Sequence, residues 1–200
     1  MTQHLKPTTR DTRRLQTRER ILGAAIAEFR TAGMSGAEVN AIVAAAGVAH
    51  GTFYFHFPTK EHVLLELERR EEARVAADFS RYLDGPHDLA GALTEVAALV
   101  AGIERRFGRV LFKELLALHF SPSRPESEDW TDHAVIVLLV REIEQASRAG
   151  TVHPEADAFY SAVFFLLGVY GVLSTNDDAA GRAAMLDKLV ASALRGLQTR

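Results

Sequence analysis

The 200-residue chain is 48% hydrophobic, 24% charged and 8% aromatic, which is enough apolar content to bury a real core and too much for a disordered polymer. It has no cysteine, which excludes a disulfide framework, thiolate metal sites and a cysteine nucleophile. As an average, the formal net charge of −3 argues against nucleic acid, but the average hides a division: residues 1–60 carry +4 and residues 61–200 carry −7. The basic segment is either a solvated extension or the part that meets a polyanion. The opening MTQHLK has no apolar core of a signal peptide. The longest uncharged apolar run, 158–172, falls short of the roughly 20 residues that a spanning helix needs. The expectation is a cytoplasmic protein with no membrane partner.

In chain order, residues 1–11 are polar and read as a mobile basic arm. Ile21, Leu22, Ala25, Ile26 and Phe29 recur at three- and four-residue steps, which predicts a helix over about 12–32 that Gly33 stops. Ser35-Gly36-Ala37-Glu38 has the form of a capping box for a short helix ending at Gly47. Another short helix over about 49–55 ends ahead of Pro58. Thr59 suits the N-cap of a helix over about 60–83, and its spacings Glu68/Glu72, Arg70/Arg74 and Glu66/Arg70 read as a solvated face. Further helices are expected over about 87–106 and 109–120, and after a polar, proline-bearing loop at 121–129, over 130–149, 155–174 and 180–197. Pro154 suits the first position of the second of these. The fold class is all-α with about nine helices: an N-terminal three-helix domain over 12–60 and a C-terminal helical domain over 61–200.

The short helices on either side of Gly47 have helix-turn-helix spacing, with small alanines that let them pack closely. The second helix would lie in a DNA major groove, with the small polar run His50-Gly51-Thr52 near base edges. Thr52, Tyr54 and His56 supply donors suited to phosphate oxygens. Lys60 stands in the first turn of the next helix, where a cation opposes the helix dipole, and a phosphate held jointly by that helix end and the ammonium explains the choice.

The string Ala46-Gly47-Val48-Ala49-His50-Gly51-Thr52-Phe53-Tyr54-Phe55-His56-Phe57-Pro58-Thr59-Lys60-Glu61 resembles the TetR family of bacterial transcriptional regulators. The family's pattern there is approximately A-G-V-S-x-G-T-[LFI]-Y-x-H-F-x-[SNT]-K-[ED]. The likeness extends over about 17–67, and Thr17-Arg18-Glu19-Arg20-Ile21-Leu22 looks like the family's first-helix start. The resemblance implies a DNA-binding set of Arg18, Asn40, Ala49, His50, Gly51, Thr52, Tyr54, His56 and Lys60. Within it Thr52, Tyr54, His56 and Lys60 fall on backbone-contacting positions, and Asn40 and His50 on positions that reach bases. Ala49 stands where serine is common, which removes an N-cap worth about 1 kcal/mol. Val43 stands where alanine is usual. Phe53 and Phe57 read as core residues, and Arg10, Arg13 and Arg14 as an electrostatic tail rather than minor-groove readers.

The helix expected at 155–174 is apolar around most of its circumference, so it must be covered on more than one side, and Gly168 and Gly171 permit close approach. With the single apolar stripe of the last helix, it looks like the pair that TetR-like proteins place in a four-helix dimer interface. That reading gives Phe165, Gly168, Val172, Leu186, Leu189, Val190, Ala193 and Leu197 as dimer residues; the other reading is internal core. A dimer also meets a physical need, because one short helix reads too few base pairs and a dyad-related pair reads a palindrome. An effector pocket is expected among the body helices, lined by Phe79, Tyr82, Phe107, Phe112, Leu116, His119, Phe120, Trp130, His133, Val137, Phe164 and Tyr170. Such a lining suits a mainly apolar or aromatic small molecule, with His119 or His133 as a polar anchor. The eight histidines lack H-x3-H or H-E-x-x-H spacing, and no nucleophile elbow or phosphate loop occurs, so neither a metal, a cofactor nor a catalytic set is expected. The function expected is a ligand-responsive, homodimeric DNA-binding regulator, a repressor on a palindromic operator. An activator, and a small-molecule binding protein with weak DNA binding, stay open.

Overall fold

We analysed a computed structural model of the chain, which describes residues 9–119, 121, 133–175 and 178–198. Among these the regular elements are helices: α1 (Thr9–Gly36), α2 (Val39–Ala46), α3 (His50–His56), α4 (Lys60–Leu83), α5 (Leu89–Phe107), α6 (Arg109–His119), α7 (Ala134–Arg148), α8 (Ala158–Thr175) and α9 (Ala179–Leu197). A single antiparallel bridge, Val152 with Gln198, ties the segment after α7 to the end of α9.

The helix boundaries follow local chemistry, with four departures from expectation. Gly33 breaks α1 as expected, with φ 69°, but a further turn follows it before the chain leaves the helix at Gly36. The Ser35–Glu38 capping box does not form. α2 starts later, with Glu38 at its N-cap giving no side-chain bond, and the Ala37 N–H ahead of it donates to the Gly33 carbonyl. Thr59 does occupy the N-cap of α4, yet its hydroxyl pairs with His62 Nδ1 at 3.0 Å rather than with a backbone N–H. α8 begins at Ala158 and not beside Pro154, because the Asp157 carboxylate accepts the Tyr160 N–H at 2.9 Å and so caps the helix there. Asp88 and Asp178 cap α5 and α9 in the same manner.

Two hydrophobic clusters organise the chain. The first holds Ile21, Leu22, Ala25 and Phe29 of α1, Ile42, Val43 and Ala46 of α2, and Phe53 and Phe57. It also takes Val63, Leu64, Leu65 and Leu67 from α4 and Leu111, Leu115 and Leu118 from α6. The reading head is therefore not closed at residue 60; α6, far along the chain, completes its core. The second cluster is the body, built on Phe79, Leu93, Val96, Phe112, Leu139, Ile143, Phe165 and Val169.

α8 reaches 18 residues with a mean hydropathy of 1.7, long and apolar enough on those criteria to cross a membrane, in contrast to the expectation drawn from 158–172. Its inner side, Ala162, Phe165, Leu166, Val169 and Leu173, is buried in the body, while Tyr160, Phe164 and Leu167 face outward.

Candidate nucleic-acid interface and effector cavity

α2 and α3 meet at Gly47, whose φ of 63° is the left-handed conformation that glycine adopts without steric cost. The N–H groups of Gly47 and Val48 return to the carbonyls of Ala44 and Val43, closing a tight turn that fixes the angle between the helices. Phe53 and Phe57 are fully buried and anchor α3 on the head core. The opposite side of α3 presents Ala49, His50, Gly51 and Tyr54 to solvent, with Asn40 exposed on α2 and Thr52 half-buried. The Tyr54 ring is held edge-on by Phe53 and tilted against His50, each with 5.3 Å between centroids, so its hydroxyl is carried on a positioned side chain.

Three of the residues expected at DNA are committed to the protein itself. The Lys60 ammonium donates to the Met34 and Ala37 carbonyls at 2.7 and 2.9 Å, tying the start of α4 to the segment after the Gly33 break. Arg18 donates to the His56 carbonyl at 2.6 Å and to Glu66 at 2.8 Å, and lies 4.2 Å over the Phe57 ring. His56 is buried. Burial and the neighbouring Arg18 and Arg14 cations hold its pKa below the ordinary imidazole value, so the ring is neutral at neutral pH. One exposed aromatic escaped the sequence reading: Phe55 is 68% exposed beside the reading face, with the Arg14 guanidinium 5.3 Å over its ring.

The body contains a cavity between α4, α5, α6, α7 and α8. Of the expected lining residues it contains Phe112, Leu116, His119, His133 and Tyr170. Phe79 lies instead in the solid body core, Tyr82 packs beside His87, and Phe107 joins the head with Arg30 over its ring. Val137 is half-buried outside the cavity, and Phe164 is 65% exposed, stacked on Tyr160 at the outer surface. Phe120 and Trp130 lie outside the described residues. The remaining walls are aliphatic: Val75, Val100, Ile103, Leu115, Val135, Ile136, Val163, Leu166 and Leu167.

The unforeseen component is acidic. Glu68, Glu71 and Glu72 of α4 line the cavity, not a solvated face. Glu68 pairs with His119 at the end of α6, and Glu72 pairs with His133 at the N-cap of α7 at 3.0 Å. The two imidazoles are 5.6 Å apart edge to face, and Tyr170 approaches His119 at 6.3 Å. Burial, with Glu72 and Glu68 nearby, pushes the Tyr170 phenol upward, so it stays protonated. Glu71 is taken by Arg106 and by Arg74. A sequence signal for these carboxylates existed. Glu68, Glu72 and Val75 continue the buried line from Leu64 toward Phe79, so two acids stand where the helix period calls for core residues.

The expected dimer residues divide. Phe165, Val190 and Leu197 are buried in the subunit's own core, and a Cβ on Gly168 would meet Leu189 of the same chain at 2.9 Å. Leu186, Leu189 and Ala193 are partly buried against the body core, and Val172 is half-buried. The outward stripe of α8 consists of Tyr160, Phe164, Leu167 and Gly171.

A two-helix reader on a small head, packed under a helical body with a cavity, defines a helix-turn-helix transcriptional regulator. Residues 21–67 match the family model for bacterial regulatory proteins of the tetR family. It is 26% identical over 160 residues to the HTH-type transcriptional regulator UidR of Escherichia coli K12, covering 79% of this chain and 80% of UidR. Its fold is similar to that of Thermus thermophilus FadR, a TetR-family repressor solved with lauroyl-CoA, with a TM-score of 0.70 and 23% identity over 92% of this chain and 96% of the other. A TetR regulator from Chloroflexus aurantiacus J-10-FL superimposes with a TM-score of 0.66 at 19% identity, over 94% and 100% of the two chains. At these identities the solved structures speak to the fold alone.

Proposed function

We propose that this regulator is a cytoplasmic, ligand-responsive repressor that binds a palindromic operator as a dimer and releases it when a small molecule occupies the body cavity. The observation that carries this reading is the double use of α6. Leu111, Leu115 and Leu118 belong to the head core, while Phe112, Leu115, Leu116 and His119 line the cavity. A ligand that moves α6 must therefore move the head. α4 carries the same coupling, since its first turns are in the head core and its middle lines the cavity. Glu114 of α6 adds a polar tie, accepting the Met34 N–H at 3.2 Å beside the Gly33 break. The effector acts through its differential affinity for the two head spacings, on the order of 1–3 kcal/mol.

Operator contact is assigned to His50 and Asn40 at bases and to Thr52 and Tyr54 at phosphates, with Ala49 and Gly51 allowing close approach of the backbone. Lys60 retains one donor beyond the two carbonyls it serves, and that donor is assigned to a phosphate. Arg18 and His56 act by fixing the reader. For dimerisation the support is the stripe Tyr160, Phe164, Leu167 and Gly171, an exposed apolar face along one helix. That copies meet at this face is consistent with the partly buried Leu186, Leu189 and Ala193 beside it.

Titration of the purified protein against DNA fragments from upstream of its own gene, read by mobility shift, tests the reading. A saturable shift at a palindrome is expected, together with a rise in transcription from that promoter when the gene is deleted. No shift on any such fragment, or a fall in transcription on deletion, overturns it.

A further inference from the structure

α1 begins at Thr9, so Arg10, Arg13 and Arg14 stand on a helix that runs ahead of the head core, whose first buried residue on α1 is Ile21. Arg10, Arg14 and Arg18 recur every four residues and share one side of that helix. The last two meet α3 in different ways. Arg18 uses its donors on the protein, on the His56 carbonyl and on Glu66, and so locks this side of α1 to the end of α3. Arg14 is exposed and makes no hydrogen bond or ion pair among the described residues; it lies over the Phe55 ring, its guanidinium carbon 5.3 Å from the centroid. A ring face attracts a cation but offers it no oxygen acceptor, so the guanidinium is held in place with its in-plane N–H donors still open. An oriented guanidinium with an open fork of donors is suited to a phosphate, which it can bind bidentately. Phe55 alone argues nothing, since single exposed apolar residues are common on protein surfaces. Its position does: it follows Tyr54 at the reading face, 68% exposed, with its ring edge-on to the His56 ring at 5.2 Å.

We propose that Arg14, held over Phe55, takes an operator phosphate beyond those assigned to Thr52, Tyr54 and Lys60, with Phe55 as the positioning residue that fixes the guanidinium. This rests on α3 being the DNA reader. The groove beside the pair, lined by Asp11, Arg14, Leu15, Arg18 and His56, contains the Asp11 carboxylate, so the phosphate is assigned to the Phe55 side of Arg14. A cation on a mobile tail adds only diffuse attraction and must be ordered on binding, whereas one already held by a ring loses less freedom. The DNA footprint thus extends from α3 onto α1.

Mobility shifts of the full-length protein on a fragment from upstream of its own gene, taken over a series of salt concentrations, test this. Arg14→Gln is expected to weaken binding roughly tenfold and to reduce the salt slope by about 1. Arg13→Gln, about 100° round the helix from Arg14, should reduce the slope by no more than about half as much. Phe55→Leu keeps the apolar bulk and removes the ring face, so it should weaken binding roughly threefold in the unmodified protein and not at all in the Arg14→Gln background. Melting temperatures without DNA should match that of the unmodified protein, since both side chains are exposed. Equal slopes in Arg13→Gln and Arg14→Gln would make the arginines a diffuse tail and overturn the proposal. So would a Phe55→Leu loss that persists without Arg14, or a fall in melting temperature in both variants. No shift by the unmodified protein on any such fragment sinks the operator reading beneath it instead.

Discussion

Tyr54 and Lys60 occupy neighbouring positions in the sequence motif but different physical situations. Tyr54 is 46% exposed and braced by two rings, with no role in the core. Tyr54→Phe is therefore expected to leave thermal stability unchanged while weakening binding to all DNA sequences and flattening the dependence of affinity on salt. A neutral result across salt concentrations would remove its phosphate role. Lys60 spans two backbone carbonyls, so Lys60→Met leaves both short of a donor and is expected to cost about 1–3 kcal/mol of folding stability. A lower melting temperature in the absence of DNA checks this, and separates it from a purely electrostatic lysine. The motif located both residues; it did not reveal which one the fold had already engaged. Gly47 was legible outright, because the tight turn demands a left-handed residue. Gly47→Ala should cost about 1–2 kcal/mol, seen in the same melting experiment.

At the scale of elements, two ion-pair clusters join helices and respond to pH in opposite senses. Glu19 of α1 and Glu66 of α4 converge on Arg70, with Arg18 on the far side of Glu66. Bonding to Arg70 holds the Glu19 carboxyl below its ordinary value; burial pushes Glu66 up, but Arg18 and Arg70 outweigh it and leave it lowered as well. A carboxylate with a depressed folded pKa contributes stability above its unfolded value of 4.5, and loses it as pH falls through the folded value. Arg70→Ala should therefore lower the melting temperature at neutral pH and converge with the unmodified protein in acid. His87, ahead of α5, bonds Glu142 of α7 at 2.9 Å and the Gly85 carbonyl, and these raise its pKa against the opposing effect of burial. Its contribution is fully present below the unfolded value of 6.5 and disappears as pH rises through the folded value. The melting-temperature gap between the unmodified protein and Glu142→Gln should accordingly be largest in mild acid and shrink in alkali. The Glu66/Arg70 pair was legible from its spacing, but the bonds that join helices were not. Glu19 and Arg70 are 51 positions apart and His87 and Glu142 are 55 apart, and no helix period connects them.

For the whole molecule, the outward stripe of α8 is the face to which the proposed assembly is assigned. Phe164 stacks on Tyr160 in the open, where it adds nothing to the subunit's own core. Phe164→Lys is expected to leave each subunit folded and to convert a dimer to monomer in sedimentation, with loss of operator binding at the same protein concentration. A monomer in the unmodified protein would dispose of the dimer face. The sequence marked α8 as a helix needing cover on several sides but assigned its residues to the wrong sides, placing Phe164 in the pocket and Phe165 at the interface. Adjacent residues on a helix differ by about 100° in direction, and an all-apolar helix carries no polar stripe to fix the rotation.

What the sequence by itself determined was local: helix positions, the left-handed turn at Gly47, the two phenylalanines that seat α3, and the ordered string that matches the tetR-family model. Each depends on residues within a few turns of one another, where period, capping and backbone conformation govern. Only the tertiary structure decided which side of each apolar helix faces which neighbour. It also showed that α6 serves head and cavity at once, and that two acids on α4 turn inward to meet histidines from α6 and α7. These follow from packing between segments distant in the chain, where a charged side chain is tolerated in an apolar stripe because its partner arrives from elsewhere.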